Sequence, residues 1–439
     1  MHCVVIGAGW SGLAAAVQLS LGGHKVTLLE SARQPGGRAR RLSLNTTDVD
    51  NGQHLLIGAY HKTLELLNRI DTAESTVFKR LPLQLLMRQI DASACNTIDI
   101  RAARLPAPLH MLSGLITAKG LTARERWQAI RLCAALPMIS LNDNDDCSVA
   151  DVLLRHRQPT RLIEVLWEPL CLAIMNTPTA LASASIFIGV LRDAFLHKRN
   201  DSDFLVPIVD LGAVLPEPAI RKIQSLGGKV QQNSRVDELL LDGTQVTAAV
   251  LNDGSTVKAD HFILATPPYA AHRLLEKHHL FKTTSEQLSQ FKYSPIATVY
   301  LQYPGEISVS PPVMGMTGSI GQWLFDRRLC SQPGLMAVVI SSHGAHEDCT
   351  TDELADVIQQ ELAQLFPRWP QPLWSQVIRE KRATFLCEAG INRYRPENGT
   401  ASNNTWLAGD YTDTGYPATL EGAIRSGLDC ATAVDMTTG

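Results

Sequence analysis

The first thirty residues alternate apolar runs with glycines in an order that few folds accommodate. The stretch HCVVIGAGWSGLAAAVQLSLGGHKVTLLE, from His2 to Glu30, has the pattern of a strand, a glycine turn, a helix, a second turn and a second strand. Gly7, Gly9 and Gly12 give it the spacing G-x-G-x-x-G. In that spacing the first glycine permits a tight turn, the second lets the backbone approach a pyrophosphate, and the third lets the helix pack close to the strand. The stretch therefore predicts a βαβ unit that binds a dinucleotide at the N-terminus of its helix.

The alternative is an ordinary glycine turn in an α/β unit, and two features argue against it. The strand, the helix and the second strand are all in register with the glycines. The second strand ends at Glu30, about 20 residues on, where a carboxylate can bind a ribose hydroxyl. The cofactor contacts predicted for the first loop are Gly7, Ala8, Gly9, Trp10, Ser11 and Gly12.

A second glycine pair follows Glu30 in the stretch QPGGRARR. Gly36 and Gly37 allow another close backbone approach, and Arg38 supplies a bidentate phosphate donor. Arg40 and Arg41 fit a basic surface turn equally well. Two phosphate cradles so close together suit a long dinucleotide that lies extended, so we expect FAD, held through Gly37 and Arg38, and not NAD.

The C-terminal stretch WLAGDYTDTGYPATLEGAIRSGLDCATAV has the pattern of a strand, a loop and a helix. Gly409 and Asp410 end the strand, where an acid can bind the ribityl or pyrophosphate region. The first N–H groups of the helix can face the flavin pyrimidine, because a helix N-terminus favours the negative charge of a reduced flavin. The cofactor contacts predicted here are Thr419, Leu420, Glu421 and Ala423, and the alternative for Glu421 is a simple capping acid.

These three blocks together resemble the FAD-dependent amine oxidase and phytoene desaturase superfamily. A middle piece, VDELLLDGTQVTAAVLNDGSTVKADHFILATPP, is similar to the strand meander of that superfamily. The resemblance implies an α/β fold, with a Rossmann-type FAD-binding domain and a substrate domain of a mixed sheet plus helices. It also implies that the backbone of Val236 meets the adenine.

Four further pieces resemble a narrower group, the squalene-associated desaturases that act as hydroxysqualene dehydroxylases in hopanoid biosynthesis. They are DNGQHLLIGAY, LWEPLCLAIMNTP, QWLFDR and EKRATF. This resemblance implies an apolar isoprenoid substrate with an allylic hydroxyl. It also implies a reaction in which that hydroxyl leaves as water and the reduced flavin supplies a hydride.

The predicted FAD domain is discontinuous and takes residues 1–75, 225–272 and 395–439. The substrate domain takes residues 76–224 and 273–394. We expect the first of these two ranges to be mainly helical. In the second range IATVYLQY, QWLFD, LMAVVISS and LWSQVIREKRATF alternate like strands, and TDELADVIQQELAQLF has helical spacing.

The segment from Asp50 to His54 is polar and leads directly into an apolar run, which is unusual for a surface loop. By resemblance it runs along the flavin ring, with Gly52 touching the ring and with Gln53 and His54 near its reactive edge. Buried polar groups need partners, and a flavin supplies several. His54 is the first candidate for the general acid because its unperturbed pKa lies near neutrality. The alternative is a structural histidine that is satisfied by backbone groups.

Two carboxylates are weaker candidates for the general acid. Glu168 and Asp326 lie in the quoted motifs, and either fits a structural ion-pair partner as well as a catalytic group. Trp167, Trp323 and Phe325 either line a substrate tunnel, where an aromatic face stabilises a cation, or belong to the core.

The composition bears on the partners, the metal content and the location of the protein. The net charge of -3 gives no argument for a nucleic-acid partner. Nine scattered cysteines without a C-x-x-C suit reduced cytosolic thiols and give no zinc or other metal site. We find no signal-peptide pattern and no apolar run near the roughly 20 residues of a membrane span, so we expect a cytoplasmic protein. No second G-x-G-x-x-G occurs, so we expect no separate NAD(P)H-binding domain of the disulfide-reductase kind, and a nicotinamide or another protein would supply the electrons.

Residues 105–140 form an apolar stretch with its charges in one central block. It predicts either an ordinary pair of core helices or a lipid-facing lip through which an apolar substrate enters from a bilayer. The resemblance favours the lip, and with it peripheral membrane contact.

Three other functions fit parts of the sequence: an amine oxidase, a carotenoid-type desaturase and a non-enzymatic prenyl-lipid carrier. Some amine oxidases have a tyrosine where Thr419 stands in PATLEGA, and some tether flavin through a cysteine motif that is absent here, so we expect non-covalent FAD. A carotenoid-type desaturase would run the reaction in the oxidative direction. A non-enzymatic prenyl-lipid carrier would not need the intact Gly36, Gly37 and Arg38 or the Gly409–Asp410 pair.

Overall fold

The computed structural model describes residues 1–44, 47–90, 96–141, 145–305 and 307–437. Cys95, one of the nine cysteines, lies outside these residues, and the eight described cysteines are free. In chain order the strands are β1 (His2–Ile6), β2 (Lys25–Leu29), β3 (Arg41–Leu44), β4 (Thr47–Asp50), β5 (Leu56–Ile57), β6 (Phe78–Leu81), β7 (Gln84–Gln89), β8 (Asn96–Arg101), β9 (Phe204–Pro207), β10 (Lys229–Gln231), β11 (Val236–Asp242), β12 (Gln245–Leu251), β13 (Thr256–Lys258), β14 (His261–Leu264), β15 (Tyr293–Gln302), β16 (Val313–Thr317), β17 (Trp323–Asp326), β18 (Leu335–Ser341), β19 (Trp374–Phe385) and β20 (Thr405–Leu407).

The helices lie mostly between these strands. They are α1 (Trp10–Leu21), α2 (His61–Arg69), α3 (Glu74–Val77), α4 (Leu109–Ile116), α5 (Ala123–Ala135), α6 (Val149–Arg155), α7 (Thr160–Leu162), α8 (Glu168–Met175), α9 (Ala184–Phe195), α10 (Leu211–Val214), α11 (Pro216–Ser225), α12 (Pro268–Leu275), α13 (Lys282–Ser289), α14 (Thr351–Leu365) and α15 (Leu420–Met436).

A five-stranded parallel sheet has the order β10-β2-β1-β14-β20. One face of its strands packs on α1 and α15. Gly12 lets α1 lie close to the end of β1, and Gly427 lets α15 lie close to α1. A Cβ on Gly12 would collide with the carbonyl oxygen of Gly7, and a Cβ on Gly427 would collide with that of Ser11. The predicted βαβ unit is thus confirmed as β1, α1 and β2.

The strands of this sheet come from three separated parts of the sequence, within 1–75, 225–272 and 395–439. The antiparallel meander β11-β12-β13 is inserted between β10 and β14. Helix α11 also packs on α1, and its Ala219 and Ile223 share a buried cluster with that helix. The exact division into two domains stays a prediction.

A second, seven-stranded sheet has the order β19-β15-β18-β17-β16-β7-β8, and all of its neighbours are antiparallel except β16 and β7. The four stretches predicted as strands form β15, β17, β18 and β19, and the predicted helix is α14. Helix α14 covers one face of the sheet through Leu354, Ile358 and Leu362. The other face belongs to the main core of the molecule.

The expectation of a mainly helical region over residues 76–224 is only partly right. Helices α4 to α11 lie there, but β6, β7, β8 and β9 do as well. In β7 and β8 the buried residues are Leu85, Met87, Ile98 and Ile100, which alternate with less buried neighbours at the period of a strand. Strands β7 and β8 extend the large sheet through the pairing of β7 with β16. This long-range pairing, and not a local pattern, therefore explains why a stretch followed by helices forms strands.

Candidate active site

The first glycine loop leaves an open cradle at the start of α1. Gly7 has a φ of +109°, which favours glycine, and its amide donates to the Leu29 carbonyl at 2.7 Å. A Cβ on Gly9 would meet no atom of the described residues within 4 Å. Within the same described ranges, no side chain caps the N-terminus of α1, and the buried Ser11 hydroxyl lacks a hydrogen-bond partner. The cradle therefore offers uncapped N–H groups and one hydroxyl to a ligand.

Glu30 joins this loop to the strands beside it. Its Oε2 accepts from the amide of Ala8 at 2.7 Å, and its Oε1 accepts from the amide of Ala32 at 2.7 Å. Its carbonyl accepts from the amide of Ser234 at 2.8 Å, two residues before Val236 begins β11. A carboxylate has about four acceptor sites, so these bonds leave capacity for a ribose hydroxyl.

The second glycine loop lies directly against the first. The amide of Gly36 donates to the Ala8 carbonyl at 2.8 Å. Gly37 has a φ of +60°, and a Cβ there would lie 3.2 Å from the Cα of Gly9. Trp10 fastens the two loops further, because its Nε1 donates to the Ala39 carbonyl at 3.1 Å. The two predicted cradles are therefore one continuous backbone surface.

Arg38 and Asp410, which are far apart in sequence, form an ion pair beside this surface. Arg38 Nη2 donates to Asp410 Oδ2 at 2.7 Å, and Nη1 donates to the Ala383 carbonyl at 2.8 Å. Burial opposes the charged form of Arg38, but the neighbouring Asp410 outweighs it and the pKa of Arg38 is raised. Next to Asp410, the Gly409 amide donates to Ser426 Oγ of α15 at 2.9 Å.

The start of α15 is the third element of the site. Thr419 is its N-cap and accepts from the Gly422 amide at 3.1 Å, while Leu420 and Ala423 are half-buried in its first turn. The fully buried Glu421 caps a different helix, α2, by accepting from the amides of Lys62 and Thr63 at 3.1 and 2.9 Å. The capping alternative thus describes the observed contacts of Glu421, and its contact with the cofactor stays a prediction.

The polar segment that contains His54 is held by the seven-stranded sheet. Asp50 Oδ1 accepts from the Leu211 amide at 2.7 Å, and its carbonyl accepts from the Tyr300 hydroxyl at 3.1 Å. Its Oδ2 lies 3.5 Å from Nη1 of the buried Arg327. Burial raises the pKa of Asp50 to about 6, against the opposing charge of Arg327. The same Arg327 Nη1 donates to Gln53 Oε1 at 2.5 Å.

His54 is half-buried, and its Nδ1 lies 2.7 Å from the Gly52 carbonyl oxygen. A carbonyl only accepts, so Nδ1 carries the proton, and in the neutral ring Nε2 is the basic nitrogen. Burial lowers the pKa of His54, and the positive charge of Arg38 acts in the same direction. A Cβ on Gly52 would lie 3.7 Å from Thr298 Oγ1 and 3.9 Å from His54 Cε1.

The structure gives the other two acid candidates strong partners. Glu168 Oε2 accepts from the amide of Thr179 at 3.1 Å and also from its hydroxyl. Asp326 accepts from the amides of Val309 and Arg328 at 3.0 and 2.9 Å. In β17, Trp323 and Phe325 face the main core, whereas Leu324 faces α14. By strand alternation Asp326 lies on the α14 side, away from Trp323 and Phe325.

Sequence reasoning missed three features of this site. Arg327 is the last residue of the motif QWLFDR, and the motif alone assigns it no role. Thr298 and Tyr411 had no sequence signal beyond lying in a strand and in the C-terminal block. Within the described ranges, the buried hydroxyls of both residues lack a hydrogen-bond partner. Trp167, in contrast, is a core residue whose Nε1 donates to Gln158 Oε1 at 2.9 Å.

The double glycine cradle fits a dinucleotide, because it combines an uncapped helix N-terminus, an unpartnered Ser11 hydroxyl and the buried Glu30. The fold and this site define an FAD-dependent oxidoreductase. The family model described as flavin containing amine oxidoreductase matches residues 10–435, and the chain belongs to this family. Membership of this family and the intact cofactor cradle argue against a non-enzymatic carrier.

Curated relatives match over nearly the whole chain. The hydroxysqualene dehydroxylase of Rhodopseudomonas palustris is 30% identical, over 98% of this chain and 97% of that protein. The hydroxysqualene dehydroxylase of Sinorhizobium fredii is 28% identical, over 96% of this chain and 95% of that protein. The 15-cis-phytoene desaturase of Capsicum annuum is 26% identical, over 99% of this chain and 78% of that protein.

Solved structures share the fold at low identity. An oxidoreductase from Methanosarcina mazei has a TM-score of 0.76 and 14% identity, with 98% of this chain and 99% of that chain covered. A putrescine oxidase bound to putrescine has a TM-score of 0.74 and 16% identity, with 100% of both chains covered. At these identities the similarity shows the fold alone.

Proposed function

We propose that the protein reduces hydroxysqualene to squalene in hopanoid or related isoprenoid biosynthesis. The observation that carries this proposal is the whole-length similarity to hydroxysqualene dehydroxylases, at 30% identity for the Rhodopseudomonas palustris protein. The site supports it because Gly52, two residues before His54, lies beside Thr298 of β15, and the same face of that sheet forms a wall of mainly apolar side chains such as Phe325 and Val339. An apolar chain with one hydroxyl needs such a wall and one source of protons.

The proposed reaction breaks the allylic C–O bond of the substrate. A proton is added to the hydroxyl, water leaves, and the electron pair of the bond leaves with the oxygen. The remaining delocalised carbocation accepts a hydride at carbon, which gives squalene. FAD in its reduced form supplies that hydride when it is bound. The protein orients the chain, delivers the proton and excludes water from the cation.

We assign the proton delivery to His54. With Nδ1 held by the Gly52 carbonyl, Nε2 is the nitrogen that takes up and releases the second proton. The lowered pKa of His54 makes its imidazolium scarce near neutrality but also a stronger acid. Glu168 and Asp326 remain the alternative acids, although the described contacts engage their carboxylates with backbone and hydroxyl donors.

The cofactor site extends over the residues named above, with FAD bound non-covalently. Gly7 to Gly12 and Gly37 would hold the pyrophosphate, and Glu30 a ribose hydroxyl. The backbone at Val236 would meet the adenine. Arg38, Asp410 and the first turn of α15 would lie along the ribityl chain and the pyrimidine, as the pairing of Arg38 with Asp410 allows.

We further propose that the protein works as a peripheral protein on the inner face of the cytoplasmic membrane. Among the described helices, none is both long and apolar enough to cross a bilayer. Residues 105–140 instead expose a set of large apolar side chains: Leu105, Leu109, Ile116, Trp127 and Met138. The same range has four basic residues, and its one acid, Glu125, is buried and paired with Arg161 at 2.9 Å. Exposed apolar groups among basic ones suit an anionic lipid surface.

One assay tests the proposed reaction. The protein with reduced FAD is incubated anaerobically with hydroxysqualene, and squalene is sought by mass spectrometry. Formation of squalene supports the proposal. The alternative function is that of a carotenoid-type desaturase, and the 26% identity to a phytoene desaturase is the observation that supports it. That activity would instead appear with oxidised FAD, phytoene and an electron acceptor. An amine oxidase would instead oxidise amines, with oxidised FAD and oxygen as the electron acceptor.

A further inference from the structure

The Thr298 side chain is buried among apolar neighbours, and its hydroxyl makes no contact within the described ranges that would explain a threonine. Thr298 is 1% exposed, and its Oγ1 has no hydrogen-bond partner among the residues that the structure describes. In the sheet its neighbours are Val339 on β18 and Ile378 on β19, both apolar. A buried hydroxyl without a partner is unfavourable, and a valine would fill the same volume without that cost. The hydroxyl is thus a buried polar group that is available to hydrogen-bond a ligand.

The Thr298 hydroxyl and the proposed acid, His54, both lie close to Gly52. In β15, Thr298 lies on the same face as Tyr300, which faces the main core, while Ala297 and Val299 face α14. The point where a Cβ of Gly52 would lie is 3.7 Å from Thr298 Oγ1 and 3.9 Å from His54 Cε1. Because residue 52 is glycine, no side chain occupies that point, and the hydroxyl and the imidazole both lie within 4 Å of it.

We propose that Thr298 Oγ1 binds the hydroxyl oxygen of the substrate and holds it beside His54. The proposal rests on the proposed function and deepens it by naming a residue that recognises the leaving group. Thr298 donates its O–H to the substrate oxygen, which stays free to take the proton from His54. When the C–O bond breaks, the oxygen leaves as water with its own hydrogen and the proton from the imidazolium, and Thr298 keeps its hydrogen.

This arrangement predicts how substrate and product are distinguished. A site built to hydrogen-bond a hydroxyl discriminates against an analogue that lacks it, because the buried polar group is then left unpaired. Squalene has the same carbon chain without the hydroxyl. We therefore expect the protein to bind hydroxysqualene more tightly than squalene, which helps the product to leave.

The test is Thr298→Val, which removes only the hydroxyl and keeps the shape. Binding of hydroxysqualene and of squalene to the oxidised FAD-loaded protein is measured in detergent micelles, and turnover is measured with reduced FAD. We expect the preference for hydroxysqualene to fall by roughly 3- to 10-fold, the value of one hydrogen bond, with squalene affinity and thermal stability unchanged or raised. Thr298→Ser, which keeps a hydroxyl, should retain the preference.

A matched control is Thr317→Val. Thr317 is another buried threonine of the same sheet, and its hydroxyl also lacks a partner within the described ranges, but it lies on β16, paired with Gln89 of β7. This variant should leave both the preference and the turnover as they are. An equal loss in Thr317→Val would overturn the assignment to Thr298.

Other outcomes are equally decisive. If Thr298→Val converts hydroxysqualene normally and keeps its preference, the inference is wrong while the proposed function stands. If Thr298→Val changes FAD affinity or the visible flavin spectrum in the absence of substrate, the partner of the hydroxyl is the cofactor, and the inference is again wrong. If the unmodified protein neither binds nor converts hydroxysqualene, the proposed function fails, and this inference fails with it.

Discussion

Arg327 Nη1 donates a hydrogen bond of 2.5 Å to Gln53 Oε1 across 274 residues of sequence. The guanidinium is 2% exposed, lies 3.5 Å from Asp50 Oδ2, and donates from Nε to Gln332 Oε1 at 2.6 Å. Because a buried guanidinium needs such partners, the end of β17 and the segment from Asp50 to His54 hold each other in place. The position of the proposed acid thus depends on a residue that does not touch it.

Arg327→Met tests this coupling. The variant leaves the buried Asp50 without its counter-charge, so we expect a loss of about 3–5 kcal/mol in the free energy of unfolding near neutral pH. Urea denaturation measures it. Arg328→Met is the matched control, since the adjacent Arg328 side chain is 52% exposed and its contact with Asp326 is 3.7 Å long. Because the Arg328 guanidinium is half in solvent and Asp326 accepts from two backbone amides, we expect this contact to contribute about 1 kcal/mol or less. Equal losses in both variants would show that the buried pair of Arg327 and Asp50 does not account for the loss of stability.

Asp50 should make the stability depend on pH in an unusual direction. Burial raises the pKa of Asp50 to about 6, with Arg327 opposing and Asp210 adding to the shift. The native state therefore binds this proton more tightly than the unfolded chain, in which the carboxyl has a pKa of about 4. Its contribution to stability is present in full below about pH 4 and is lost as the pH rises through about 6.

Asp50→Asn isolates that contribution, because the amide oxygen still accepts from the Leu211 amide. In urea denaturation from about pH 4 to about pH 7, we expect the unmodified protein to lose stability relative to the variant. Two curves that stay parallel over this range would mean that Asp50 does not titrate as described.

Glu30→Ala should weaken FAD binding. The carboxylate fixes the first glycine loop through the Ala8 amide and has capacity for a ribose hydroxyl. Loss of a charge-assisted hydrogen bond costs roughly 1.5–3 kcal/mol, which corresponds to about 10- to 150-fold in affinity. Flavin occupancy over a dilution series measures the effect, since non-covalent FAD is released on dilution. Asp253→Ala, an exposed change on the β12–β13 turn, is the control. Unchanged occupancy in Glu30→Ala would remove Glu30 from the cofactor site.

The comparison of Glu30 with Arg327 shows what the sequence alone could predict. The glycine loops and Glu30 belong to one short stretch, where strand, turn and helix signals fix the local backbone. The partner of Arg327 depends on the register of β17 in a seven-stranded sheet, which no local pattern encodes. Glu421 illustrates the same limit. The sequence predicts its place at the N-terminus of a helix, but its capping of α2 depends on how α2 packs on α15. The fold class and the cofactor could therefore be predicted, whereas side-chain partners across the molecule could not.

Membrane contact should depend on the apolar side chains of residues 105–140. Trp127 is 61% exposed on α5, among basic neighbours. Trp127→Glu replaces an interfacial aromatic ring with a charge that anionic lipid repels, so it should float less with liposomes that contain anionic lipid. Leu373→Glu, at a site 67% exposed elsewhere, should float as the unmodified protein does. If the unmodified protein stays at the bottom of the gradient with and without anionic lipid, the proposed contact is wrong.

His54→Ala addresses the proposed chemistry itself. If His54 is the general acid, the variant should keep FAD and the fold but lose about 10²–10⁴-fold in turnover of hydroxysqualene. Because burial lowers the pKa of His54, the turnover of the unmodified protein should decline as the pH rises, with an apparent pKa below the usual histidine value. His197→Ala is the control, since that side chain is 62% exposed.

A leaving group better than hydroxyl separates acid catalysis from a structural role of His54. Such a group departs without a proton, so a substrate that carries it should restore turnover in His54→Ala. A structural defect in the segment would persist with either substrate. If His54→Ala turns over hydroxysqualene almost normally, the histidine is only a structural partner, and Glu168 or Asp326 becomes the acid to test. If the variant loses its flavin instead, the Gly52–His54 hydrogen bond serves to bind the cofactor, and the assignment of His54 as the acid is withdrawn.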